Sequence, residues 1–94
     1  MQGSKIMNIE KLKELAADLL PIETISILLG VDELILREAI SDRTSEASRA
    51  YYLGQAETIA AIRKQEVELA KAGSPLAVEN VADYIIEQKT SENG

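Results

Sequence analysis

The sequence has no cysteine and no histidine. That removes disulfides, thiolate or imidazole metal sites, Cys nucleophiles and every Ser–His or Cys–His catalytic arrangement. It also has no Phe, no Trp, only three Tyr and only two Pro. No long apolar run exists. The longest, Ile25 to Val31, is interrupted by Ser26 and is far too short to cross a bilayer. No N-terminal stretch has the basic-then-apolar form of a signal peptide. A cytoplasmic protein with no membrane partner is expected.

What is present is a chain of 94 residues, 46% of them hydrophobic, enough for one domain with one core. Ile, Leu and Ala dominate the apolar set, and such a composition with little Pro reads as helical. The formal charge is −6, from 10 basic and 16 acidic residues, and it is unevenly spread. Residues 21–42 hold Glu23, Asp32, Glu33, Glu38 and Asp42 against Arg37 alone. An acidic chain is a poor non-specific binder of phosphates, whether on DNA or on an anionic membrane.

The expected fold is all-α, with about five helices. Asn8 is an N-cap, and Ile9, Leu12, Leu15, Ala16, Leu19 and Leu20 recur at helical spacing until Pro21 stops the helix. A short second helix runs to Gly30, which supplies a left-handed turn. Asp32 caps a third helix, Glu33 to Ile40, with Val31 and Leu36 as a hydrophobic staple. Thr44 or Ser45 opens a long helix to about Ala72. Gly73-Ser74-Pro75 then punctuates the start of an antiparallel last helix. Residues 1–8 are expected to be a disordered or extended start, with Met7 a candidate natural start. Residues 9–88 form a single helical domain in this reading, and 89–94 a frayed tail.

Residues 21–42 carry the sharpest functional signal. Ile25 and Leu29 lie one turn apart, Ser26 is small where two helices must cross, Gly30 makes the turn, and Leu36 and Ala39 face back. That is the pattern of a helix-turn-helix. The exposed face of its second helix is expected to be Asp32, Glu33, Ile35, Arg37 and Glu38. Only Arg37 could pair with guanine in the major groove. Arg43 and Arg49 lie where they could touch the DNA backbone. The competing reading has these three arginines as solvated surface or ion pairs with Glu33, Glu38 or Glu46.

The long helix, residues 45–72, would span about 42 Å, more than the some 25–30 Å expected across a domain of this size. It has two apolar sides. One holds Ala47, Ala50, Tyr51, Gly54, Thr58, Ala61, Ile62 and Leu69, and the other Tyr52, Ala56, Ile59, Ala60, Val67 and Ala70. Two apolar faces call for two packing partners, either another copy or, in the competing reading, the chain's own helices on both sides. Helices at about 45–88 are therefore expected to form a homo-oligomer, with Ala50, Gly54 and Ala61 admitting a neighbouring copy and Tyr51 and Tyr52 anchoring contacts. Asp32-Glu33 and Glu66/Glu68 lack the further oxygen ligands of a cation loop. No Gly-rich phosphate loop or catalytic constellation is seen, so a non-enzyme without a cofactor or metal is expected.

Three segments taken together resemble a known family. They are Pro21-Ile22-Glu23-Thr24-Ile25-Ser26-Ile27-Leu28-Leu29-Gly30-Val31, then Ala50-Tyr51-Tyr52-Leu53-Gly54-Gln55-Ala56, then Leu69-Ala70-Lys71-Ala72-Gly73-Ser74-Pro75-Leu76-Ala77. Over about residues 9–88 the order is similar to that of the small terminase subunits of tailed phages and prophages and related phage helix-turn-helix proteins. There, an aromatic-rich helix with a Gly leads to an Ala–x–x–Gly–x–x–x–Ala corner between antiparallel helices. The resemblance implies a ring-forming, non-enzymatic subunit that recognises DNA and hands it to the packaging ATPase and nuclease. DNA and a phage protein would then be partners. Asp32, Glu33 and Glu38 depart from a plain DNA-binding surface. An assembly module that keeps the fold without contacting DNA is the alternative.

Overall fold

A computed structural model describes residues 7–93 of the chain. The described residues contain five helices: α1 (Ile9–Ala17), α2 (Ile22–Leu29), α3 (Glu33–Ser41), α4 (Glu46–Lys71) and α5 (Pro75–Asn93). No strand occurs among them. The chain divides into two compact units, one up to Thr58 and the other from Ile59, with α4 running from the first into the second. The single domain expected over 9–88 is thus organised as two clusters of contacts. The expected disordered start lies outside the described residues for 1–6. Its last two residues are part of the fold. Asn8 caps α1 by accepting from the Lys11 backbone N–H at 3.0 Å, and Met7 packs against the core.

The core of the first unit is built by helical spacing. Leu12 and Ala16 of α1, Ile25 of α2 and Leu36 of α3 are fully buried, and Ile40, Ala47, Ala50 and Tyr51 join them. Helix α1 ends at Ala17, earlier than the apolar pattern predicts. Pro21 holds Leu20 out of helical geometry, so the chain must reverse before it. Leu19 makes the reversal at φ 61°, the only non-glycine residue with positive φ among those described, and its N–H bonds Ala16 O at 2.9 Å.

The α2–α3 connection follows the expected chemistry. Gly30 sits at φ 71°, ψ 30°. Its N–H bonds Ile27 O at 3.2 Å and the Val31 N–H bonds Ser26 O at 3.0 Å, closing a Schellman motif. Asp32 Oδ1 accepts from the N–H groups of Leu34 and Ile35 at 2.9 and 3.3 Å, capping α3. Ser26 is buried at the crossing, and its hydroxyl is satisfied by Glu23 O at 2.7 Å.

Ser45 joins α3 to α4. Its hydroxyl donates to Ala39 O at 2.7 Å and accepts from the Ser48 N–H at 3.0 Å. Where α4 passes α1, Gly54 is buried with no room for a side chain: an added Cβ would strike Lys13 O and lie 3.1 Å from Ala17 N. Thr58 Oγ1 donates to Ala17 O beside it. Gly54 and Tyr51 therefore face the chain's own helices, not a neighbouring copy. Periodicity marks a face but not the owner of the helix that covers it.

In the second unit, Gly73 takes φ 100° and repeats the Schellman bonds through Ser74 N–H to Leu69 O at 3.1 Å and its own N–H to Ala70 O at 3.0 Å. Helix α5 returns antiparallel to the end of α4. Arg63 meets Glu87, and Asn80 donates to Glu66 Oε1 at 2.8 Å. Helix α5 continues to Asn93, so residues 89–93, expected to fray, are helical.

Candidate functional site

All three arginines expected to meet DNA have partners within the chain. Arg37 lies on the exposed side of α3, and its Nε donates to Glu33 Oε2 at 2.9 Å, one helical turn away. Arg43 lies in the α3–α4 loop with its guanidinium 4.1 Å from the centre of the Tyr52 ring. Arg49, in the first turns of α4, donates from Nη1 to Thr44 O at 3.0 Å. Arg43 in the α3–α4 loop and Arg49 at the start of α4 thus both contact or form that turn, whereas Arg37 belongs to the α3 face. Tyr52 is itself braced by the buried Tyr51, edge to face with centroids 5.1 Å apart.

The same loop is held by Asp42, whose Oδ1 accepts from the Thr44 N–H at 3.1 Å and the Thr44 hydroxyl at 2.7 Å. These two hydrogen bonds favour the ionised carboxylate and hold Asp42 below the ordinary carboxylate range, the hydroxyl contributing most.

The exposed side of α2 and α3 is aliphatic and acidic. Ile27 is 74% exposed and Leu34 66%, with Leu28 and Ile35 also exposed. Ile35 is on the face the sequence pattern predicts to be exposed; Ile27, Leu28 and Leu34 join it, and Leu34 lies two residues from the inward-facing Leu36, a spacing that points it away from the core. Glu23 and Glu38 are exposed and form no ion pair among the described residues.

The second unit shows a different surface. Ile59, Ile62, Leu69, Leu76, Val78, Ile85 and Ile86 are between 44% and 67% exposed, and Ala77 is the only buried hydrophobic residue among the described residues there. Val67 on α4 and Val81 on α5 are half-buried, and polar contacts join the two helices. Arg63 lies 4.2 Å above the Tyr84 ring and bonds Glu87 Oε1 at 2.6 Å. These residues line one open groove with Ile85.

The carboxylates considered for a cation all have other roles. Asp32 caps α3, Glu33 pairs with Arg37, Glu66 accepts from Asn80, and Glu68 lies 3.9 Å from Lys71 Nζ. No group of three or more acidic residues among those described could hold a metal ion. No described helix is long and apolar enough to cross a membrane. Compared with known family models, curated proteins and solved structures, the chain matches none.

Proposed function

We propose that the chain is a non-enzymatic helical assembly module of helix-turn-helix build, which forms a homo-oligomer through residues 59–93 and acts in the cytoplasm. One observation carries this reading: the described residues from Ile59 onward bury a single hydrophobic residue, Ala77, while leaving seven large aliphatic side chains between 44% and 67% exposed. Two helices without a core are marginal on their own, because packing of an apolar face supplies most helical stability. Covering the exposed half of each of these side chains is worth roughly 1 kcal/mol apiece. A second copy presents the same aliphatic surface, and this unit carries charges of both signs, with Arg63, Lys64, Lys71 and Lys89 set among Glu66, Glu68, Glu79, Asp83, Glu87 and Glu92. That mixture suits an isologous contact. Light scattering at micromolar concentration tests the reading. A mass of two or more chains supports it, and the mass of one chain refutes it.

The second reading is the DNA-recognition role implied by the resemblance to terminase small subunits. It is favoured by the left-handed Gly30 turn, by the small Ser26 at the helix crossing, and by Arg43 and Arg49 beside α3. On this reading, replacing Glu33 and Glu38 by Gln tightens binding to duplex DNA at low salt. An unchanged affinity means that α3 does not meet DNA.

A further inference from the structure

The exposed side of α2 and α3 is a surface apart from the one assigned to self-association. It projects Ile27, Leu28, Leu34 and Ile35 into solvent, with Ile27 at 74% and Leu34 at 66% exposure. Large aliphatic side chains grouped on adjoining helices mark contact sites when charged residues surround them. Here the surrounding charge is predominantly acidic. Residues 21–42 hold five carboxylates against Arg37, and Arg37 is already paired with Glu33 at 2.9 Å.

That charge decides between occupants. Nucleic acid and anionic membranes bring phosphates, which this acidic segment repels. A second copy docking here through a two-fold contact would set one acidic segment against another, and like charges across an interface suppress association. A polypeptide that is basic on one side and aliphatic on the other matches both the apolar centre and the acidic rim. Helix-on-helix docking meets the geometry, since α2 and α3 offer short helical faces and no open sheet edge. We infer that the α2–α3 face binds a basic amphipathic helix of another protein. The aliphatic residues of that helix cover Ile27, Leu28, Leu34 and Ile35, and its Lys or Arg residues meet Glu23, Glu33 and Glu38. The inference shares with the assembly reading only the claim that the chain works through protein partners.

The probe is a synthetic helical peptide with Leu on one face and Lys on the other. A control peptide has the same composition in an order that mixes the two faces. Amide shifts of the labelled full chain locate the contact. The expected result is that shifts gather on α2 and α3, that the control binds more weakly, and that affinity falls as salt rises. The double variant Ile27→Ser/Leu34→Ser should lose about tenfold or more in affinity. Both side chains are mostly in solvent, so circular dichroism should match wild type. The wild-type shift map also stands without the variant. Shifts that gather on residues 59–93, equal binding of the two peptides, or an unchanged affinity in the double variant would each overturn the inference. So would binding of duplex DNA or anionic vesicles at this face, or a drop in oligomer mass caused by the double variant, which would show a second copy seated there. Failure of self-association would appear separately, as a single-chain mass of wild type with the peptide shifts still on α2 and α3.

Discussion

Gly54→Ala reverses the ordinary sign of a glycine substitution. In an open helix interior, Ala is favoured over Gly by about 1 kcal/mol. At Gly54 the new methyl would collide with the carbonyl oxygen of Lys13 and crowd Ala17 N at 3.1 Å. Both are backbone atoms of α1, so no side-chain rotation relieves the contact, and α1 and α4 must separate. Overpacking of this kind costs about 1–3 kcal/mol and occasionally more. A rigid backbone obstacle belongs at the upper end. Separation also stretches the Thr58 hydroxyl bond to Ala17 O and loosens Leu12 and Ala16, which α1 contributes to the core. Subtracting the helical gain leaves a net loss of about 1–2 kcal/mol, which lowers Tm by about 5–15 °C for a domain of this size. Gly54→Val should cost more, because its γ-methyls meet the same backbone. Thermal and urea unfolding followed by circular dichroism, at one fixed protein concentration, read the effect. A Gly54→Ala variant that is neutral, or more stable by the full helical preference, would refute the close crossing of α1 and α4.

Three further perturbations probe other parts of the first unit. Ser48 is 1% exposed and its Oγ has no hydrogen-bond partner among the described residues, so Ser48→Ala should hold or raise stability by up to about 1 kcal/mol, and a loss larger than that in urea unfolding would mean the hydroxyl is bonded. Gly30 is strained by its backbone alone, since nothing lies within 4 Å of an added Cβ; Gly30→Ala should therefore cost about 1–2 kcal/mol in thermal unfolding, with Gly30→Asn costing less, and equal stabilities would contradict a left-handed turn. Asp42 has a lowered pKa in the folded chain, so its contribution is present above the unfolded carboxylate pKa and disappears as pH falls through the lower folded value. The stability gap between wild type and Asp42→Asn should accordingly shrink on acidification below about pH 4, and a gap independent of pH would mean that Thr44 does not hold the carboxylate.

Helix boundaries were legible wherever capping chemistry is local. Asn8, Gly30, Asp32 and the Gly73-Ser74-Pro75 corner all act as their residue types predict. Leu19 was not legible, because a reversal ahead of Pro21 is ordinarily given to Gly, and the apolar pattern carries Leu19 and Leu20 as helix. Ile40 is buried through its four-residue spacing from Leu36, a signal present in the sequence, and Ala39, which the pattern also turns inward, packs partly buried against the core. The polar composition of residues 89–93 suggested fraying, yet no Pro or Gly interrupts them before Gly94, and the helix continues to Asn93. The arginine partners depended on the path of a loop. Arg37 pairs with Glu33 by helical spacing that can be read directly. The stacking of Arg43 on Tyr52 and the bond from Arg49 to Thr44 O require the α3–α4 turn in three dimensions. On α4, Tyr51 and Gly54 share a side with Ile62 and Leu69 in sequence, but the first pair is covered by the chain itself and the second is exposed.

The aliphatic surface of residues 59–93 carries the central claim, and the mass of the chain in solution tests it most directly. Light scattering on wild type at micromolar concentration should give at least two chains. Ile62→Glu should move the mass toward one chain, since it puts a charge on a side chain that is 47% exposed and outside the buried core. Glu79→Gln, on the exposed part of α5, should leave the mass unchanged. A wild-type mass of a single chain across that concentration range would contradict the account, whatever the variants do.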